Sequence, residues 1–258
     1  MRYIINYTAL CNQGKVRVQN QDNFWCVGAY LNSENAGLES PLYGSTDIRS
    51  CHCFAVFDGM GGEKKGEMAA YLAAKTFDGI ISENPKRINK EYLINSCLEM
   101  NRIICKYARE NRIRTIGTTA AVLVYFKNKV FILNIGDSKI FRWRDEDLVQ
   151  ISVDHVMLVS GDRKPALTQS LGIPEDEYLI EPHISEEKFK SGDRYLICSD
   201  GLTDMVNEEI IRQILKDENN NLKCASTLLD KALENGGIDN TTIILCDIDK
   251  KRWRVGAK

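Results

Sequence analysis

The fold is decided by residues 119–143, which read TAAVLVYFKNKVFILNIGDSKIFRW. Three apolar, strand-like runs in this stretch are separated only by the polar turns at 127–129 and 136–138. Turns of this length join antiparallel strands, whereas parallel strands need a crossover of about a dozen residues or more. The stretch therefore predicts an antiparallel meander.

Strand-like and helix-like segments alternate in blocks along the rest of the chain. Further strands are predicted at Tyr3 to Thr8, Asn23 to Ala29, Cys53 to Phe57, Arg194 to Cys198 and Thr242 to Asp247. Helices are predicted in pairs, first at 66–81 and 93–107, then at 207–216 and 222–234. This order predicts an α+β fold, a four-layer α/β/β/α sandwich of two antiparallel sheets flanked by helix pairs.

Two local patterns add detail to this prediction. The first predicted helix carries Met68, Tyr71 and Leu72 on one face, which we expect to pack inward. The second has a nearly ideal helical stripe, made of Leu93, Cys97, Met100, Ile104 and Tyr107. The segment from Tyr30 to Ser50 is rich in Asn, Ser and Gly, and is expected to form a long surface loop.

Composition restricts the class of protein. The 258 residues carry 34 basic and 36 acidic side chains, a net charge of -2, which lacks the basic excess of nucleic-acid binders. No run of 18 apolar residues is present, so we expect no membrane span and no signal peptide. The nine cysteines are scattered through apolar runs, which is typical of reduced thiols. We expect a monomeric cytoplasmic protein with one domain spanning residues 1–258.

Four aspartates fall where predicted strands begin or end. Asp58 directly follows an apolar run and starts DGMGG, and Asp200 follows another and starts DGLTD. Asp22 and Asp239 each come just before a strand. We expect the four carboxylates to collect at one rim of a sheet, where their oxygens favour Mg²⁺ or Mn²⁺ over zinc. An isolated Asp-Gly is an ordinary turn, but two of them after apolar strands are harder to explain by turn chemistry alone.

The order of these motifs resembles the PPM-type metal-dependent serine/threonine protein phosphatases, also called the protein phosphatase 2C family, in its bacterial form. The resemblance covers nearly the whole chain. The matching positions are Gly14, Val16, Arg17, Asn20 and Asp22; Phe57 to Gly62 with Gly66 and Glu67; Gly117 to Thr119; Gly136 to Ser138; Asp154 and His155; Gly192 to Asp204; and Asp239, Asn240 and Thr242.

The resemblance implies a site with two divalent metal ions, Mn²⁺ or Mg²⁺. Asp58 would bridge the two ions, and Asp200 and Asp239 would complete the protein ligands of the first. The Gly59 carbonyl would serve the second ion, with support from Asp22 directly or through water. A water or hydroxide bridging the ions would then hydrolyse the phosphomonoester.

The resemblance also assigns the substrate and its binding group. Arg17 would hold the phosphate, because a guanidinium fork matches phosphate oxygens. The substrates would be phosphoserine and phosphothreonine on proteins, and a cognate serine/threonine kinase would be a partner.

Two positions and one interval depart from the family pattern. Gln21 stands where many relatives have Glu beside the metal-binding aspartate, which predicts weaker metal binding. Met60 stands where some relatives have a histidine proposed as general acid, and a thioether cannot donate a proton. The interval from Asp154 to Leu167 is short for the flap that normally overhangs the site.

Two alternatives remain open on the sequence alone. The chain could be a catalytically weak module of the same fold that binds phosphoproteins or regulates a kinase. It could also hydrolyse small phosphoesters, since a fold does not fix substrate size. The presence of Asp22, Asp58, Asp200 and Asp239 together argues against loss of activity.

Overall fold

A computed structural model of the chain describes residues 3–48, 52–60, 65–83, 88–157 and 165–250. The strands are β1 Tyr3–Asn12, β2 Asp22–Cys26, β3 Leu42–Asp47, β4 His52–Met60, β5 Gly117–Thr118, β6 Ala120–Phe126, β7 Lys129–Ile135, β8 Lys139–Arg144, β9 Asp147–Gln150, β10 His183–Glu187, β11 Arg194–Cys198 and β12 Thr241–Lys250. The helices are α1 Gly66–Glu83, α2 Lys90–Glu110, α3 Asp200–Thr203, α4 Glu208–Asp217 and α5 Asn221–Glu234.

The strands form two antiparallel sheets. Sheet A has the order β3-β1-β12-β11-β8-β9, and sheet B has the order β10-β7-β6-β4-β2, with β5 pairing beside β4. In sheet A, β1 and β12 are paired along ten residues, from Tyr3 opposite Lys250 to Asn12 opposite Thr241. The first described strand is thus held by the last.

The packing confirms the four-layer prediction. Helices α1 and α2 cover the outer face of sheet B, with Phe77 and Met100 buried against it. Helices α4 and α5 cover the outer face of sheet A, with Leu215 and Leu228 buried there. Apolar side chains such as Phe54 fill the space between the sheets.

The predicted meander over residues 119–143 is only half correct. Strands β6 and β7 pair as a hairpin, but the next turn carries the chain from sheet B into sheet A, where β8 pairs with β9 and β11. This turn starts at Gly136, which has a φ of +102°, and a Cβ there would lie 2.5 Å from the Thr119 side chain. The tight crossover therefore requires a glycine.

The predicted inward face of α1 is only partly correct. The buried face is formed mainly by small side chains, Ala69, Ala70, Ala73 and Ala74, together with Phe77. Met68, Tyr71 and Leu72 are half-buried, and Leu72 packs against this core. Because alanine side chains are small, the helix can approach the sheet closely along this face, and the larger side chains lie beside it. In α2 the predicted stripe is buried from Leu93 to Ile104.

The predicted loop from Tyr30 to Ser50 contains a strand. Residues Leu42–Asp47 form β3, which pairs with β1 at the edge of sheet A. Its sequence, LYGSTD, lacks an alternating apolar pattern because none of its residues is fully buried. Backbone pairing with β1 therefore determines this strand.

Candidate active site

The four predicted carboxylates come from both sheets. Asp22 and Asp58 are cross-strand partners in sheet B, so their side chains lie on the same face, toward sheet A. Asp200 begins α3 just after β11, and Asp239 lies just before β12. Both strands belong to sheet A. The predicted rim of a single sheet is wrong in this respect: the cluster forms where one end of each sheet meets the other.

A cleft of about 270 Å³ opens at this end of the sandwich. Its lining consists of Arg17, Gln21, Asp58, Gly59, Met60, Thr119, Asp137, Pro165, Leu167, Asp200 and Asp239. Five of the six residues singled out as ligands or phosphate contacts therefore share one cavity. The sixth, Asp22, lies behind the lining and is 1% exposed.

Asp22 is held by hydroxyl groups from sheet A. Its Oδ2 accepts hydrogen bonds of 2.7 Å from Ser199 Oγ and from Thr242 Oγ1. Its Oδ1 is buried and accepts no hydrogen bond from the described residues. Burial raises the pKa of Asp22 to about 7, because the two hydroxyl donors offset the loss of hydration only in part. A buried oxygen without a donor suits a site for a cation.

Asp58 lies at the centre of the cluster. Its backbone is fixed by the GTT segment: Thr119 Oγ1 accepts its N–H at 3.0 Å, and its carbonyl accepts from Thr118 Oγ1 at 2.9 Å. Burial raises the pKa of Asp58 well above its ordinary value, and the negative charges of neighbouring carboxylates raise it further. Those neighbours are Asp200, Asp22, Asp137 and Asp239.

Gly59 has no room for a side chain. A Cβ there would lie 2.2 Å from the Gly66 carbonyl oxygen and 2.5 Å from that of Gln21. The Gly59 N–H donates to the same Gln21 oxygen at 3.1 Å. The Gln21 side chain donates from Nε2 to Glu67 Oε2 at 3.3 Å, at the first turn of α1. These contacts hold the backbone after Asp58 tightly between β2 and α1.

Arg17 projects from the loop between β1 and β2. Its Nη2 donates to Asp239 Oδ2 at 2.6 Å, and half of its side chain is exposed to solvent. The hydrogen bond to Asp239 raises the pKa of the guanidinium, which is therefore a permanent cation in the cleft. The predicted phosphate contact and a predicted metal ligand thus touch each other.

Asp137 also lines the cleft, although it was not among the predicted site residues. It lies in the Gly136-Asp137-Ser138 crossover between the sheets, which delivers its side chain to the cleft beside Asp58. Ser138 Oγ and Thr119 Oγ1 are 2.7 Å apart and join this turn to the backbone of Asp58. The GDS motif was visible in the sequence, but its position between the two sheets was not.

Part of the predicted site falls outside the described residues. Gly61 and Gly62 of the DGMGG motif and residues 158–164 of the predicted flap belong to this group. Pro165 and Leu167, at the end of that flap, are described and line the cleft. Asp154 forms an ion pair with Lys139 and lies outside the lining. His155 accepts a hydrogen bond at Nδ1 from the Gly136 N–H, which supports the crossover turn.

The donor set fits hard divalent cations. The cleft offers carboxylate and backbone oxygens, while the described cysteines Cys198 and Cys246 are buried in core strands. Across the described ranges, no three His, Cys, Asp or Glu side chains are close enough together to hold an ion by themselves. An ion held by Asp58, Asp200 and Asp239 would therefore have to draw these carboxylates closer together, and water would complete its coordination, as it does around Mg²⁺.

The chain is similar to known phosphatases in sequence. Residues 43–235 match the family profile described as protein phosphatase 2C. The serine/threonine phosphatase stp of Listeria monocytogenes is 28% identical over 92% of this chain and 94% of its own length. The protein phosphatase PhpP of Streptococcus pneumoniae is 30% identical over 75% of this chain and 85% of its own.

Solved structures show the same fold. The catalytic domain of the serine/threonine phosphatase PstP, in complex with two manganese ions, superposes with a TM-score of 0.78. It is 25% identical in sequence, and the match covers 96% of this chain and all of that one.

Proposed function

This chain belongs to the protein phosphatase 2C family, and we propose that it removes phosphate from phosphoserine and phosphothreonine on proteins in the cleft around Asp58. It is a metal-dependent phosphoric monoester hydrolase. One observation carries the assignment of the cleft: carboxylates from both sheets crowd around the half-buried Asp58, beside a permanently charged arginine. Such crowding is typical of functional sites.

The metal ligands are proposed residue by residue. Asp58 would hold both ions, with Asp200 and Asp239 on one and the Gly59 carbonyl and Asp22 on the other. Two Mn²⁺ or Mg²⁺ ions supply Lewis-acid activation of water and neutralise charge on the phosphoryl group. Asp22 would act from behind the cleft, because Ser199 and Thr242 hold one of its oxygens and leave the other for the ion or its water.

Arg17 would bind and orient the phosphate. Its half-exposed side chain lines the cleft, and its guanidinium can donate two parallel hydrogen bonds to phosphate oxygens. Asp239 now accepts one of its donors, so the same contact keeps Arg17 directed into the site. Met60 cannot donate a proton, and no histidine is among the described residues that line the cleft. Among the described residues, the cleft lining therefore offers no imidazole acid to the leaving oxygen.

We also propose the cellular setting. A cognate serine/threonine kinase would supply the phosphoproteins, and the phosphatase would act as a cytoplasmic monomer. In the described part of the chain, no helix has both the length and the hydropathy of a membrane span. The single domain over residues 1–258 stays a prediction.

The direct test is Mn²⁺-dependent release of phosphate from a panel of phosphopeptides, measured beside small phosphoesters. The wild-type protein should hydrolyse the peptides, and EDTA should stop the reaction. Asp58→Asn should abolish turnover, because an amide is a poor bridge between two cations.

Three outcomes would contradict the proposal. A folded Asp58→Asn variant with near wild-type activity would exclude the assigned mechanism. Binding of phosphopeptides without turnover would favour the non-enzymatic module. Hydrolysis of small phosphoesters alone would favour a hydrolase that acts on small molecules rather than on proteins.

A further inference from the structure

Asn240, next to Asp239 at the start of β12, makes three hydrogen bonds to one loop. Its Oδ1 accepts from the Gln21 N–H at 2.8 Å. Its Nδ2 donates to the Gln13 carbonyl at 2.8 Å and to the Gln19 carbonyl at 3.0 Å. Only 3% of the residue is exposed. Both amide protons and the carbonyl are thus used on the segment between β1 and β2.

That segment carries Arg17 at its tip and lies directly on the turn before β12. The Lys15 N–H donates to the Gly237 carbonyl at 2.7 Å. Gly14 has a φ of +80°, and a Cβ there would lie 2.4 Å from the Asp239 carbonyl oxygen. The loop therefore sits on the turn without space between them.

The same amide connects the loop to the far side of the cleft. Gln21, whose N–H is held by Asn240, accepts the Gly59 N–H at its carbonyl oxygen. One buried side chain directly before β12 of sheet A thereby holds the entry of β2 and, through it, the backbone after Asp58 in sheet B. Asn240 does not line the cleft itself.

We propose that Asn240 is a positioning residue for phosphate binding, which acts through Arg17. The inference rests on the proposed function. An arginine on a loop must lose backbone and side-chain freedom when it binds an anion, and a loop already fixed at three points loses less. Asn240 therefore sets the phosphate affinity of Arg17 without touching the phosphate.

A double-mutant cycle tests this with inorganic phosphate as a competitive inhibitor of Mn²⁺-dependent hydrolysis. Asn240→Ala should raise the inhibition constant and KM about five- to twentyfold, with a smaller change in kcat. In the Arg17→Ala background the same substitution should add less than about twofold, because the residue it acts through is gone.

Asn101→Ala is the matched control. Asn101 is also buried, and it likewise bridges a loop, donating to the Ile173 carbonyl and accepting from the Gly172 N–H. Its loss should lower the melting temperature but leave the inhibition constant for phosphate at the wild-type value.

Gly14→Ala is the second variant, in case Asn240→Ala does not fold. It displaces the loop from its seat while Asn240 stays intact, and it should reproduce the coupled loss of phosphate affinity.

The proposal is overturned by a folded Asn240→Ala or Gly14→Ala protein with unchanged phosphate inhibition, or by effects that multiply fully with Arg17→Ala. In either case wild-type hydrolysis and its loss in Asp58→Asn would still stand. Failure of the positioning role is thus distinguishable from failure of the proposed function.

Discussion

Strands β11 and β12 carry an aspartate near each end, and the two ends treat their charges in opposite ways. At the end away from the cleft, Arg144 donates from Nε and Nη2 to the two oxygens of Asp193, both at 2.7 Å. Arg194 forms the same fork with Asp247, at 2.6 and 3.0 Å. Each of these two carboxylates has a matched guanidinium.

At the cleft end, carboxylates face one another. Asp200 and Asp239 approach Asp58, whose pKa is raised by burial and by their negative charges. At the other end, the hydrogen bond to Asp193 raises the pKa of Arg144 and so favours its charged form, whereas the raised pKa of Asp58 disfavours the charged form of that carboxylate. The aspartates at one end of these strands thus have one guanidinium each, where they support the fold. At the cleft end, Arg17 pairs with Asp239 alone, and the other carboxylates stay crowded around Asp58, where they serve chemistry.

The sharpest way to break this comparison is to replace one aspartate at each end by asparagine. Asp193→Asn should lower the free energy of unfolding by about 3 kcal/mol, because it leaves Arg144 without its buried counter-charge. Asp58→Asn should instead raise it in the absence of metal, because it relieves repulsion. Urea unfolding in EDTA measures both values. If both substitutions changed the free energy of unfolding in the same direction, the two ends would not differ as described.

Arg17→Ala tests whether the cation at the cleft end serves the substrate. Loss of a charge-assisted hydrogen bond of about 1.5–3 kcal/mol corresponds to a roughly ten- to hundredfold fall in kcat/KM, mainly through KM. Steady-state kinetics with a phosphopeptide would check this, and Mn²⁺ affinity should change little. Unchanged kinetics would reduce Arg17 to a solvated partner of Asp239.

The carboxylates at the cleft end should make the free energy of unfolding depend on pH. Folded Asp22 has a pKa of about 7 against an ordinary value of 3.8, and that of Asp58 is also raised. The folded state therefore holds protons that the unfolded chain has released, and metal-free stability should fall as pH rises from about 4 to about 7. Asp58→Asn should make this slope shallower in urea titrations at pH 5 and 7.5. An equal slope would place Asp58 outside the cluster.

Gln21→Glu should give the smallest effect. A carboxylate here adds an anionic oxygen near the second ion, and we expect Mn²⁺ to bind a few-fold more tightly in calorimetry. It would also face Glu67, whose Oε2 now accepts from Gln21 Nε2 at 3.3 Å, so metal-free stability should fall. Weaker Mn²⁺ binding would mean that position 21 does not contribute to the metal site.

Local pattern was enough to predict the layers and the positions of the site aspartates close to strands. Periodicity marked α2, and the apolar run before Asp200 marked the end of β11. The predicted strand end before Asp58 was wrong: β4 continues to Met60, because Asp58 pairs with Asp22 and Gly59 pairs with Thr118. What failed depends on distant partners. Strand β3 exists because β1 pairs with it. Asp137 reaches the cleft because the chain crosses from β7 in sheet B to β8 in sheet A. No window of sequence contains that information.

The ten-residue pairing of β1 with β12 also sets an order of assembly during synthesis. Sheet B is built from strands between Asp22 and Glu187 and can form while the ribosome is still translating. Strand β1, made first, must wait for Thr241–Lys250 before its inner edge is covered. Asp239 and Asn240 lie directly before β12, so a nascent chain acquires these two residues of the cleft region and the ten-residue partner of β1 in one step. The cleft is therefore incomplete until translation has passed Asn240.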